Sequence, residues 1–175
     1  MKNNAFIRFL SEKAIKDNKN GIRILAELKR GINKKPYECH SVSKNIINFI
    51  PENCTKTEEN TYFIIASLYA TYPNHSYDVK SIGDSFQKFV NQNGKYDQKQ
   101  KESKEKYFFK LLNSDIDDLP FILKRIIKLI SSSNVPINYE ILFDTILYWN
   151  SENNMIKKTL AKDFWNYKEE EREEE

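Results

Sequence analysis

A chain of 175 residues with 28 Lys and Arg against 25 Asp and Glu has a formal net charge of +3, and 39% of its residues are hydrophobic. That apolar content supports a packed core and excludes wholesale disorder, and the length suits one domain. Mean hydropathy is −0.70, and the longest apolar-leaning run, residues 62–70, is far short of the roughly 20 residues that span a bilayer, which excludes a membrane-embedded protein.

Helical periodicity runs through nearly every segment. Over residues 5–17, Phe6, Phe9, Leu10 and Ala14 recur at spacings of three and four, the period of one helix face. Residues 22–28 are apolar almost all round, which predicts a buried second helix, with Gly31 as its stop before Pro36. A short third helix fits 41–50 and ends against Pro51. Thr55-Lys56-Thr57-Glu58 then has the capping-box form, in which hydroxyl and carboxylate each satisfy one orphan amide. It opens a fourth helix carrying Phe63, Ile64, Ser67, Leu68 and Thr71, stopped by Pro73. A fifth covers about 81–90, with Ile82, Phe86 and Phe89 on one stripe.

Residues 91–105 are polar, charged and contain Gly94, and they predict a mobile loop that turns helical near Lys101. Tyr107, Phe108, Leu111 and Leu112 form the apolar face of that helix. For the next, Ser114 or Asp115 is the expected cap, with Asp117 and Asp118 in the first turn, where the helix dipole favours carboxylates. Leu119, Ile122, Leu123, Ile126, Ile127 and Ile130 fill one face, and Lys124, Arg125 and Lys128 the other. Two more helices are expected at 136–149 and 151–167. No segment alternates with period two, and no repeat of fixed period marks a solenoid. The expected fold is all-α, an elongated bundle of about eight or nine helices in one domain over 1–167, followed by an acidic tail, 168–175.

Several chemistries lack their residues. Four glycines, Gly21, Gly31, Gly83 and Gly94, lie too far apart for a phosphate-cradling loop. Cys39 and Cys54 cannot build a disulfide framework. Cys39, His40, Cys54 and His75 lack the tight ligand pairs of a zinc site, and the helix start explains Asp115, Asp117 and Asp118 without a metal. The expectation is therefore no catalytic residues, no metal and no cofactor. An enzyme built on Cys39 and His40 would need a pocket with convergent polar groups. Met1-Lys2-Asn3-Asn4 leads into Phe6-Ile7-Arg8-Phe9-Leu10 without a readable signal peptide, so a cytoplasmic location is expected.

Charge is unevenly distributed. Residues 168–175 hold six Glu, and residues 1–168 hold 27 basic and 19 acidic side chains, a net of +8. A basic body makes an anionic partner the first to test. Its clusters are Lys29 and Arg30 beside Arg23 and Glu27; Lys124, Arg125 and Lys128; and Lys157, Lys158 and Lys162. Lysine outnumbers arginine in these groups, which suits point-charge contacts to phosphate more than forked reading of guanine.

The order of several motifs adds a family resemblance. Leu25-Ala26-Glu27-Leu28-Lys29-Arg30-Gly31 resembles the "LAxLRRG" opening of the CasB family, the small subunit of the type I-E CRISPR effector complex called Cascade. Ser81-Ile82-Gly83-Asp84-Ser85-Phe86 is similar to its "SLGxSL" segment. Lys106-Tyr107-Phe108-Phe109-Lys110-Leu111-Leu112, with Asp117-Asp118-Leu119 and Leu123-Lys124-Arg125, resembles its "RFxxLL…DL" stretch. Ile137-Asn138-Tyr139-Glu140-Ile141-Leu142 with Trp149, then Ala161-Lys162-Asp163-Phe164-Trp165, is similar to its close, "IDWxxLLxDLxxW…WARDFW". The likeness covers about residues 20–167. Lys29 and Lys106 stand where the family has arginine, and Leu160 where it has tryptophan.

The resemblance implies an all-helical, non-catalytic subunit. It implies as partners other Cascade subunits, a second copy associated head to tail, guide RNA and target DNA, with no membrane and no small-molecule substrate. The implied role is sequence-independent backbone contact that stabilises the R-loop and the displaced strand. R-loop formation is a near-balanced exchange of duplexes, so a few such contacts tip it. The residues expected to make them are Lys29, Arg30, Lys124, Arg125, Lys128, Lys157, Lys158 and Lys162. The alternative is a helical adaptor whose basic faces meet only protein partners.

Overall fold

The computed structural model describes residues 4–13, 19–32, 34–35, 38–92 and 95–165, and these form nine α-helices with no strand among them. The helices are α1 (Asn4–Lys13), α2 (Lys19–Lys29), α3 (His40–Ile46), α4 (Lys56–Thr71), α5 (Ile82–Val90), α6 (Gln98–Leu112), α7 (Leu119–Ser131), α8 (Tyr139–Leu147) and α9 (Met155–Trp165). The tail, 168–175, and Gly94 lie outside the described residues.

The central element is α4. The capping box is formed as expected: Thr55 Oγ1 accepts from the Glu58 amide at 3.2 Å and Glu58 Oε2 accepts from the Thr55 amide at 2.8 Å. Thr61, Tyr62, Phe63, Ile65, Ala66, Ser67, Leu68, Tyr69 and Ala70 are all buried, so the second half of α4 is enclosed on every side. It packs on α1, α2, α3, α7 and α8, while α5 packs on α6, α7 and α9. α7 touches both groups, and one continuous apolar core joins them.

Six local readings need correction. One is at α9: the helix expected from residue 151 begins at Met155, because Asn153 and Asn154 take positive φ, which breaks the α-helix there. α2 is amphipathic rather than buried all round: Ile24 and Leu28 face inward and Ile22 is 54% exposed, because only one side of α2 meets α4. The third helix shortens to His40–Ile46 and tightens into a 3₁₀ turn over Ile47–Phe49. α6 begins at Gln98, ahead of Lys101, so the stretch read as loop over 91–105 is helical in its second half. Asp97 and Gln100 make a second capping box there, with Gln100 N to Asp97 Oδ1 at 2.8 Å and Asp97 N to Gln100 Oε1 at 3.2 Å.

α7 starts later than expected. Ser114 does not cap it; the Ser114 hydroxyl donates back to Leu111 O at 2.8 Å and closes α6. Asp118 is the N-cap residue and makes no side-chain cap bond, so Asp117 and Asp118 precede the first turn. Pro120 explains the delay. It is tolerated in the first turn, where no amide is needed, and an earlier start would place its ring against the carbonyl four residues back. Finally, the helix expected from residue 136 begins at Tyr139, because Ile137 is held extended in a single parallel bridge to His75. Its amide donates to Asn74 O at 3.0 Å and its carbonyl accepts from Ser76 N at 3.2 Å.

Candidate nucleic-acid interface

On α2, one carboxylate offsets part of the basic charge. Glu27 meets Arg23 at 3.1 Å and Lys44 of α3 at 3.1 Å, and it accepts from Asn45 Nδ2 at 2.8 Å. The Asn45 hydrogen bond, then Lys44, holds the Glu27 carboxyl below the ordinary carboxylate range. Two cations are thus engaged by one carboxylate. Lys29 and Arg30, at the C-terminal end of the helix, are exposed and have no acidic partner among the described residues. Gly31 follows them directly and lies buried; a Cβ there would stand 2.5 Å from Ser67 Oγ and 2.7 Å from a Val42 methyl. The close approach to α4 and Val42 thereby fixes where Arg30 emerges.

The other two clusters flank one helix, α6, which packs on both α7 and α9. On α7, Arg125 and Lys128 are exposed and Lys124 is half-buried. Arg125 Nη2 donates to Tyr107 Oη of α6 at 3.0 Å, and its guanidinium carbon lies 4.6 Å from that ring's centroid. On α9, Trp165 packs against Phe108 and Phe109 of α6, at centroid separations of 5.8 and 5.4 Å. Lys158 and Lys162 are exposed on the same helix. Lys157 is engaged in packing: its ammonium donates to Ser114 O at 3.2 Å and lies 5.0 Å from the Trp149 ring centroid. The α2 cluster stands apart, on the group of helices built around α4.

The cysteines and histidines are dispersed. Cys39 is buried with its Sγ 3.3 Å from Ser41 Oγ, His40 is exposed, and Cys54 is half-buried. His75 Nδ1 lies 3.2 Å from the Tyr139 amide, which donates to it, and this contact helps hold the start of α8. No group of three or more His, Cys, Asp or Glu that could hold a metal occurs among the described residues.

Residues 24–165 match the family model described as CRISPR-associated protein Cse2. The chain belongs to the CRISPR-associated Cse2 family. Solved structures agree with the fold. A Cse2-family protein from Thermus thermophilus is 19% identical, with 94% of this chain and 97% of that one covered and a TM-score of 0.76. CasB from M. ruber is 22% identical over 98% and 97% of the two chains, with a TM-score of 0.77. A chain of a structure named "CRISPR RNA-guided surveillance complex" is 16% identical over 99% and 98%, with a TM-score of 0.79. No curated protein matches this sequence significantly.

In this Cse2-family chain the motifs that carried the resemblance are mostly structural. Ser81 caps α5 through the amides of Gly83 and Asp84, Ser85 Oγ donates to Pro136 O at 2.8 Å, and Phe86 is fully buried. Asn138 caps α8 and donates to Val79 O at 3.0 Å, and the Tyr139 hydroxyl donates to Tyr72 O at 2.6 Å. Trp149 Nε1 donates to Ser114 O at 3.0 Å. Lys110 and Phe121 line one groove with Arg125 and are not among the contact residues expected from the sequence. Phe121 stands one turn before Arg125, on the polar side of the amphipathic pattern of α7.

Proposed function

We propose that the protein is a non-catalytic small subunit of a CRISPR RNA-guided surveillance complex and binds nucleic-acid backbone without regard to sequence. The observation that carries the subunit reading is the Cse2 family match over residues 24–165, supported by fold agreement with a chain of such a complex. Lys29, Arg30, Lys128, Lys158 and Lys162 support backbone contact, being exposed cations with no acidic partner among the described residues. Lysines in that state lose no intramolecular ion pair when a phosphate arrives, and each contact releases counterions. Under this reading Lys124 and Arg125 join Lys128 on the α7 face, and Lys157, engaged with Ser114 O and Trp149, adds its charge beside Lys158 and Lys162 on α9. The partners under this reading are the other subunits, a second copy, guide RNA and target DNA, in the cytoplasm.

The test is the salt dependence of single-strand binding. With Arg30, Lys128, Lys158 and Lys162 all changed to Ala, affinity at low salt should fall. The slope of log affinity against log salt should become shallower by about 0.7 for each phosphate that the protein no longer neutralises. An unchanged slope would return these faces to protein partners, the adaptor reading.

A further inference from the structure

α6 and α7 fold back on each other through residues 113–118, and a surface groove of about 300 Å³ runs along their seam. Its floor is apolar, from Ile122 and Ile126. The rim carries two rings, Tyr107 and Phe121, two cations, Lys110 and Arg125, and one carboxylate, Asp118. Phe121 is 59% exposed, so it contributes little to the core. A single exposed apolar side chain is ordinary on any surface. What sets this one apart is its neighbour one turn along, Arg125, whose guanidinium is already fixed over Tyr107 by a hydrogen bond and a ring contact. A guanidinium held in place loses less freedom when a ligand arrives than a mobile one does.

Rings beside fixed cations are the means by which proteins hold unpaired strands without reading sequence: bases stack and phosphates pair. We infer that this groove stacks one unpaired base against Phe121 and the outer plane of the Arg125 guanidinium, with Lys110 on the adjoining phosphate. Asp118 repels phosphate and accepts from a base N–H, so the phosphate lies with the two cations and the base edge faces the carboxylate. The two cations outweigh the one carboxylate, and the groove lies on a basic body, which favours a strand over a basic protein segment. This inference rests on the backbone-binding reading and adds a contact that charge alone does not supply.

The two are separated by comparing an oligothymidylate with an abasic oligonucleotide of the same length, both titrated into the full chain. The wild-type protein should bind the base-bearing strand roughly tenfold more tightly. Phe121→Ala and Phe121→Leu should both remove most of that difference and leave abasic affinity and salt slope unchanged. Phe121→Trp should restore it. Because Leu keeps the apolar bulk without a π face, it separates stacking from packing. Equal binding of the two strands by the wild type, or a Phe121→Leu protein that behaves as wild type, would overturn the stacking site alone. Failure of the wild type to bind either strand would overturn both readings.

Discussion

Gly83 sets how closely α5 and α9 approach. A Cβ at this position would lie 2.5 Å from the backbone carbonyl oxygen of Leu160, an atom that cannot swing aside as a side-chain tip can. The helices would have to part, taking with them Phe86 and Phe164, whose ring centroids are 5.9 Å apart. Gly83→Ala is therefore expected to destabilise the fold by about 1–3 kcal/mol, the usual cost of overpacking. A denaturant midpoint shift measures it, and the salt slope of strand binding should be unchanged at temperatures where the variant stays folded. Gly31 was legible as a helix stop, and α2 does end two residues before it. Its second role was not, because Val42 and Ser67 reach it from distant parts of the chain and no local pattern records them. The same limit hid the engagement of Lys157. From sequence it is one lysine of a basic trio, and only the fold brings Ser114 O and Trp149 to it.

At the scale of elements, legibility followed how much of the cause was local. Thr55 with Glu58 states a helix start within four residues, and that capping box is present. Asp97 and Gln100 state one too, but the surrounding polar run looked like loop. The only side chains that α6 buries are Phe108 and Leu111, so no apolar stripe marks its first turns. Those turns depend on the cap and on Lys104, whose ammonium lies 3.6 Å from the Tyr96 ring centroid. Asp97→Ala should accordingly cost about 1 kcal/mol, most of it local to the helix start. Hydrogen exchange should quicken at the amides of residues 100–102 while α7 keeps its protection. Uniform loss of protection across both helices would mean that the cap supports the whole hairpin. In α7 the failure ran the other way: several plausible acidic caps lay in a row, and Pro120 at its second position decided among them.

For the whole molecule the governing quantity is charge, and its distribution was only partly legible. The sequence shows a body of +8 over residues 1–168 beside a run of glutamates. The structure adds that Glu27 offsets part of the charge of Arg23 and of Lys44 of α3, whereas Lys29, Arg30 and the exposed cations of α7 and α9 that flank α6 have no acidic partners among the described residues. A field summed over the body acts on an approaching strand at a range set by ionic strength. Removing residues 169–175 deletes six Glu and Arg172 and raises the net charge from +3 to +8. Every proposed contact residue is retained, so a change in affinity that salt abolishes reports the field. The truncated chain should bind single strands more tightly at low salt, chiefly through faster association. The two chains should converge near 1 M salt, where the screening length has fallen to about 3 Å. Stopped-flow association rates across a salt series measure this. A difference that persists at high salt would mean that the glutamates touch the binding face directly, and equal rates at every salt would mean that the body's field does not steer the strand.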